Sequence, residues 1–127
     1  MNPKDFIKSC LVTESRDMQP VKDRLQSTEN VRLLHAAIGL CTESGEIQDQ
    51  IKKHLFYGKP LDKVNMIEEL GDIMWYVGVA CATLDVSLEE VMQKNHEKLK
   101  ARYGSKFTEA AALNRDLDKE REILEKK

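Results

Sequence analysis

Two pairs of acidic residues have the type and spacing that metal-dependent chemistry requires. Glu43 and Glu46 form the first pair, and Glu69 and Asp72 form the second, with the members of each pair three positions apart. On a helix that turns about 100° per residue, side chains three positions apart lie on one face. Each pair borders the apolar stripe that its helix would bury against a neighbour. If these two helices pack together, the four carboxylates converge.

Converging carboxylates need a cation, because like charges held close together repel and raise each other's pKa. Mg²⁺ accepts carboxylate and water oxygens readily, and Mn²⁺ is an acceptable substitute. Zinc is disfavoured because soft ligands are absent from the pairs. A ferritin-like di-iron site is disfavoured because no histidine lies three residues after a glutamate. The spacing therefore favours a magnesium site with hard oxygen ligands.

The competing interpretation is that both pairs are ordinary solvated acids, since acidic residues three positions apart are common on exposed helix faces. Two pairs that both border apolar stripes weaken this interpretation. Other polar residues share the same flanks. Gln50, Lys53 and His35 lie on the flank of the first pair, and Asn65 and Tyr76 lie on that of the second.

A later segment carries polar and basic side chains that suit a phosphate. Asn95 lies in the middle of the apolar face of its helix, and a buried amide needs partners. It could cap a backbone group, or it could orient a water or a phosphate. Lys98 and Arg102 flank that face, and each alone reads as ordinary surface charge. Together with Lys53 they could neutralise a polyphosphate. His35 is interpreted as a structural or base-contacting histidine rather than a metal ligand.

The helical periodicity predicts an all-α protein with a four-helix core, in one domain over residues 1–127 with its core at about 28–107. The predicted helices run from Pro3 to about Thr13, from Ser27 or Thr28 to about Leu55, from the cap Asp62 to about Leu84, and from the cap Ser87 to Tyr103, before Gly104. The charged segment from Asn114 to Lys127 is expected to form a solvated helix or an arm that contacts a partner.

The composition excludes several classes of function. Hydrophobic residues at 41% and charged residues at 33% are typical of a soluble globular protein. A net charge of −2 provides no positive field for a nucleic acid polymer or an anionic membrane, so neither is expected as a partner. Three cysteines without paired spacing fit a reducing cytoplasm. No glycine-rich phosphate loop or covalent nucleophile is recognisable.

The acidic pairs and the later polar segment occur in a recognisable order. The segments are Glu43-Ser-Gly-Glu46, Glu69-Leu-Gly-Asp72 and Asn95-His-Glu-Lys98-Leu-Lys-Ala-Arg102-Tyr103, supported by Leu34-His35-Ala36-Ala37, Tyr57-Gly58-Lys59 and Lys106-Phe107. Together they resemble the MazG-like nucleotide pyrophosphohydrolases, which belong to the all-α NTP pyrophosphatase superfamily. Either acidic motif alone would be a weak signal. The order, the spacing and the following segment make the combined resemblance specific, from about Leu33 to Arg115.

The resemblance implies an enzyme that hydrolyses (deoxy)nucleoside triphosphates between the α and β phosphates, with Mg²⁺, to a monophosphate and pyrophosphate. It implies metal binding by Glu43, Glu46, Glu69 and Asp72. One of these carboxylates, with Glu43 or Glu46 preferred, would orient or deprotonate the attacking water. The expected substrate-binding residues are Asn95, Lys98, Arg102 and Tyr103 from the resemblance, and Lys53 and His35 from helical geometry.

The resemblance also implies a homo-dimer or homo-tetramer. The nearly continuous apolar run from Ile73 to Leu84, with Trp75 outside the main stripe, agrees with a second buried face. The expected role is clearance of surplus or non-standard nucleotides. Two alternatives remain open. The chain could be a dUTP or dCTP diphosphatase of the same superfamily, or it could be a non-catalytic helical interaction module.

Overall fold

The computed structural model describes residues 1–126, and all regular secondary structure in that range is helical, which confirms the all-α prediction. The helices are α1 (Pro3–Thr13), α2 (Gln19–Arg24), α3 (Thr28–Tyr57), α4 (Lys63–Thr83), α5 (Leu88–Tyr103), α6 (Glu109–Leu113) and α7 (Leu117–Glu125). Lys127, the last residue of the predicted charged arm, lies outside the described residues. Within them, no helix is both long and apolar enough to cross a membrane.

The longest helices begin at the caps that the sequence predicts. Ser27, Asp62 and Ser87 each accept a hydrogen bond from a backbone N–H in the first turn of α3, α4 and α5. These side chains satisfy donors that the helix itself leaves unpaired. Gly58 ends α3 at a φ of 66° and Gly104 ends α5 at a φ of 63°, a backbone region that glycine adopts at no steric cost.

Two short helices lie in segments where the sequence predicts no helix. The helix α2 has Pro20 in its first turn, and α6 is capped by Thr108, whose Oγ1 accepts from the backbone N–H of Ala111 at 3.2 Å. Both span fewer than two turns. Such a short segment contains too few residues to display an apolar stripe with a period of 3.6, so periodicity could not reveal them.

The helices α3 and α4 form an antiparallel hairpin, and this is the main packing contact of the chain. Ala36 on α3 is 1% exposed, and Cys81 on α4 is 8% exposed. Gly39 allows a close approach of the Tyr76 ring, because a Cβ atom there would lie 2.2 Å from ring atoms of Tyr76. The small residues of α3 therefore let the two helices come together along the edges that carry the acidic pairs.

One chain leaves much of the apolar surface of this hairpin uncovered. The exposed large side chains on α3 and α4 include Leu34, Ile38, Leu70, Met74 and Trp75. Large apolar side chains exposed in this number on two packed helices are available for contact with a partner. The two helices thus carry more apolar surface than the packing of α3 on α4 buries.

The remaining long helix, α5, packs mainly on α7 and α6. Glu120 of α7 is 6% exposed and accepts two hydrogen bonds from Arg102 of α5, at 2.7 and 2.6 Å, and two from Arg115, at 2.7 and 3.4 Å. The bidentate geometry of Arg102 is the strong form of a charge-assisted pair. The sequence predicts a solvated helix or an arm for this segment. The segment contains the helix α7, which is exposed over most of its residues and docks on α5 through the buried carboxylate of Glu120.

The Glu120 contact makes the docking of α7 dependent on pH. Hydrogen bonds from Arg102 and Arg115 lower the pKa of Glu120 from 4.5 to about 2. A lowered pKa in the folded chain means that the stabilisation is fully present above the unfolded pKa and is lost as the pH falls through the folded pKa. We expect α7 to detach from α5 as the pH falls from about 4.5 to about 2. The NMR chemical shifts of the α7 backbone amides, recorded across this pH range, measure the transition.

Matched variants separate this effect from general acid unfolding. Glu120→Gln removes the charge that the two arginines bind, so α7 should be less ordered at pH 7 and should lose this pH dependence. Glu122→Gln changes an exposed acid on the same helix and should behave as the unmodified chain does. The same acid transition in the Glu120→Gln chain would rule out this origin.

Candidate active site

Three of the four predicted metal ligands meet between α3 and α4. Glu43 of α3 and both Glu69 and Asp72 of α4 each offer one carboxylate oxygen, and these oxygens lie within 4.8 Å of one another. Glu43 is half-buried, Glu69 is buried and Asp72 is exposed. We call this group the acidic cluster. Its residues come from two helices because the antiparallel hairpin aligns the flank of one acidic pair with that of the other.

Glu46, the fourth predicted ligand, is exposed and lies outside the acidic cluster. It is still a neighbour of the site, because its charge contributes to raising the pKa of Glu69. The difference between Glu43 and Glu46 follows from helix geometry. Side chains three positions apart differ by about 60° around the helix axis, so one points further into the interface than the other.

The electrostatics of Glu69 fit a cation site. Burial raises the pKa of the Glu69 carboxyl, and the charges of Glu46, Glu43 and Glu68 raise it further. A hydrogen bond from Asn65 Nδ2 to Glu69 Oε1, at 2.6 Å, acts in the opposite direction. A bound cation would favour the ionised carboxylate and offset the repulsion. A donor set made only of carboxylate oxygens, open to water through Asp72, suits Mg²⁺ or Mn²⁺.

An aromatic group lies beside the acidic cluster on the same hairpin. The ring of His35 on α3 lies edge-on to Tyr76, with centroids 5.5 Å apart, and to Trp75, at 6.2 Å. Trp75 and Tyr76 are themselves edge-to-face at 4.9 Å. Tyr76 follows Asp72 by one helical turn, which is about 6 Å along the axis. His35 therefore lies among aromatic rings next to the cluster, where a planar ligand could be contacted.

Lys53, predicted from helical geometry to bind substrate, is paired within its own helix. Its Nζ lies 2.6 Å from Asp49, and Lys52 approaches the same carboxylate at 2.8 Å. Hydrogen bonds from these two lysines lower the pKa of Asp49 to about 2. Lys53 lies beyond Glu46 towards the end of α3, and in the single chain its partner is this carboxylate.

The four predicted substrate residues of α5 lie on a different packing unit from the acidic cluster. Arg102 is engaged by Glu120, and its guanidinium also lies 5.5 Å from the ring centroid of Tyr103. Tyr103 in turn contacts Phe107, with ring centroids 5.4 Å apart. Lys98 is half-buried. Since α5 packs mainly on α6 and α7, the fold of one chain does not bring these side chains onto the hairpin site.

Asn95 is exposed, so the prediction of a buried amide is wrong for the single chain. The physical reason is that its whole helix face is uncovered, including Leu88, Val91, Met92 and Leu99. The apolar pattern of α5 correctly indicates a face that needs a partner. It does not indicate which chain provides that partner.

Two further residues of the site were not recognised as such from the sequence. Gln50 and Asn65 occupy the flanks of the acidic pairs, as their spacing predicts, but spacing could not show that they form a hydrogen bond to each other. Glu120, which holds Arg102 of α5 and lies outside the acidic cluster, was also not recognised from the sequence. The available signal was its position three residues after Leu117 and four before Leu124, on the apolar side of α7.

Comparison with known proteins identifies the family of the chain. The model of the MazG nucleotide pyrophosphohydrolase domain matches residues 33–107, which include the acidic cluster and all of α5. A similar curated protein is the Gene 37 protein of Mycobacterium phage L5, 36% identical over 92 residues, which are 65% of this chain and 76% of that protein. No solved structure matches the chain. Since the match covers more than half of the residues, the chain belongs to the family of MazG nucleotide pyrophosphohydrolase domains.

Proposed function

We propose that this protein is a Mg²⁺-dependent enzyme that hydrolyses (deoxy)nucleoside triphosphates between the α and β phosphates. The products would be a nucleoside monophosphate and pyrophosphate. The observation that carries the proposal is the meeting of Glu43, Glu69 and Asp72 between two helices, inside the segment that matches the family. Family membership supports the reaction class, and the all-oxygen donor set supports the metal.

The positions of the four carboxylates give them different roles in the proposal. Glu43, Glu69 and Asp72 would hold the metal, because their oxygens are the ones that converge. Bound Mg²⁺ would offset the negative charge that develops on the leaving pyrophosphate. Glu46 is exposed beside the cluster rather than within it, so its carboxylate is free to orient the attacking water or accept its proton. Of the two candidates for acting on the attacking water, Glu43 and Glu46, this assignment selects Glu46.

The remaining predicted residues would bind the substrate. In this proposal His35, with the aromatic rings of Trp75 and Tyr76, contacts the base, because this group adjoins the acidic cluster on one hairpin. The polyphosphate or the sugar would be bound by three basic side chains together with one amide and one phenol, which are those of Lys53, Lys98, Arg102, Asn95 and Tyr103. The positive charges of the three basic residues complement the charge of a triphosphate.

A second copy of the chain is needed for this arrangement. The substrate residues of α5 are separated from the hairpin in one chain, and the apolar faces of both units are exposed. We therefore include in the proposal a homo-dimer or homo-tetramer in which neighbouring copies cover these faces. Light scattering from the purified protein should give a multiple of the 14.6 kDa chain mass, and a mass equal to one chain would contradict the assembly.

The proposed role is clearance of the nucleotide pool in the cytoplasm. A panel of ribo- and deoxyribonucleoside triphosphates, with and without Mg²⁺, tests the function directly. Chromatography should show monophosphate and pyrophosphate only when metal is present. A strong preference for dUTP or dCTP, with turnover of their diphosphates, would favour the diphosphatase alternative. No turnover across the whole panel would favour a non-catalytic interaction module.

A further inference from the structure

A hydrogen-bonded relay crosses from α3 to α4 and ends on the buried carboxylate of the acidic cluster. Gln50 Nε2 donates to Asn65 Oδ1, and Asn65 Nδ2 donates to Glu69 Oε1 at 2.6 Å. Gln50 and Asn65 are half-buried, and Glu69 is 4% exposed. Along the hairpin, the acidic cluster lies between the relay on one side and the aromatic group of His35, Trp75 and Tyr76 on the other.

The chemistry of an amide fixes the direction of the relay. Asn65 has one carbonyl oxygen that accepts and one NH₂ group that donates, and the relay uses both. Turning this amide over would place its oxygen against a carboxylate oxygen of Glu69, with no proton between two acceptors. It would also place its NH₂ group against the Nε2 of Gln50. The carboxylate therefore selects the orientation of Asn65, and Gln50 locks it.

We propose that Asn65 and Gln50 are positioning residues that hold the Glu69 carboxylate in the orientation that binds the metal. The inference rests on the proposed function, since it assigns a role to these amides at that same site. Hydrogen bonds to the side chains that coordinate a metal restrict their rotamers, and removing such a bond typically costs about 10–100-fold in metal affinity. Neither residue belongs to the acidic motifs, and both are supplied by the flanks of the hairpin.

Metal affinity separates this role from a purely structural one. A bridge that only joins two helices would lower the melting temperature when removed but would leave the metal affinity unchanged. A positioning relay changes the affinity. Its two amides also act in series, so removing Gln50 adds nothing once Asn65 is gone. Non-additivity of this kind is the signature of residues that act through one another.

The experiment is a titration of the full chain with Mn²⁺, with free Mn²⁺ followed by electron paramagnetic resonance. Asn65→Ala should weaken binding by about 10-fold or more, and Gln50→Ala should weaken it by a smaller factor. The double variant should bind as Asn65→Ala does. Gln48→Ala is the matched control, because Gln48 is exposed on the same helix two positions from Gln50. The Mn²⁺ affinity of this variant should equal that of the unmodified chain.

For the variant Gln50→Glu, the relay and a simple effect of added charge predict opposite changes in Mn²⁺ affinity. An ionised glutamate cannot donate to Asn65 Oδ1 and would instead draw the Asn65 NH₂ group away from Glu69, so the relay predicts weaker Mn²⁺ binding. A simple effect of added negative charge predicts tighter binding. This variant also keeps the inference testable if Asn65→Ala does not fold, which circular dichroism would show.

The outcomes distinguish the inference from the proposed function. Unchanged Mn²⁺ affinity in Asn65→Ala and Gln50→Ala, or tighter binding in Gln50→Glu, would overturn the positioning role while the unmodified chain still binds metal and hydrolyses nucleotides. If the unmodified chain neither binds Mn²⁺ nor hydrolyses any nucleotide, the proposed function fails, and the inference fails with it.

Discussion

Replacing Glu69 by glutamine should remove most of the nucleotide hydrolysis and leave the helical fold intact. Glu69 is the buried member of the acidic cluster, and glutamine has the same shape without the negative charge. Substituting a residue that only supports a metal ligand typically lowers metal affinity or activity by about 10–100-fold. Loss of a ligand itself should therefore lower kcat/KM by more than about 100-fold.

The same substitution should not destabilise the metal-free protein. Burial and neighbouring carboxylates raise the pKa of Glu69, so its ionisation opposes folding at neutral pH. The sign follows from linkage, because an acid with a raised folded pKa reduces stability as the pH rises through that pKa. In EDTA at pH 7, Glu69→Gln should therefore melt at the same temperature as the unmodified chain or higher, and Mg²⁺ should stabilise it less.

The control for this prediction is Glu68→Gln, which removes an exposed charge from the adjacent position and should retain activity. Substitutions Glu43→Gln and Asp72→Asn should behave as Glu69→Gln does. Glu46→Gln should differ, lowering kcat while Mn²⁺ affinity stays about the same, because this carboxylate is assigned to the water. If Glu69→Gln hydrolysed nucleotides as well as Glu68→Gln, the acidic cluster could not be the metal site.

Replacing Gly39 by alanine should destabilise the hairpin, although alanine favours helices. In an open helix position the change from glycine to alanine stabilises by about 1 kcal/mol. At Gly39 the new Cβ would lie 2.2 Å from the Tyr76 ring, so the ring or the helix must move. Overpacking of this kind costs about 1–3 kcal/mol. The net result should be a lower melting temperature and a changed near-ultraviolet circular dichroism signal from Trp75 and Tyr76.

Gly45 provides the matched comparison on the same helix. A Cβ at Gly45 meets no atom within 4 Å, so Gly45→Ala should raise the melting temperature. The opposite signs expected for two identical substitutions on α3 make the prediction specific to the contact with Tyr76. A rise in melting temperature for Gly39→Ala equal to that for Gly45→Ala would show that the close approach does not determine the packing.

The parts of this structure that depend on neighbouring residues in sequence could be predicted from the sequence. The caps Asp62 and Ser87 satisfy backbone groups within their own first turns, and the spacing of Glu69 and Asp72 alone places both on one face. The meeting of these acids with Glu43 needed only one further assumption, that the two apolar stripes pack together.

The parts that depend on distant partners could not be predicted. Arg102 reads as a free cation in the sequence, but it pairs with Glu120, which is 18 positions away. Periodicity correctly indicates that α5 has a face to be covered, but it does not contain the information that the single chain leaves Asn95 exposed. The direction of the bond between Gln50 and Asn65 likewise depends on a contact between two helices.

The most direct test of the proposed reaction is ³¹P NMR of one nucleoside triphosphate incubated with the unmodified protein in ¹⁸O-labelled water. With Mg²⁺ present, the account predicts resonances of monophosphate and pyrophosphate in equal amounts, neither of which forms in EDTA or with Glu69→Gln. An ¹⁸O shift on the monophosphate would place the attack of water at the α phosphorus. Formation of diphosphate and orthophosphate, or the same products without metal, would contradict the account.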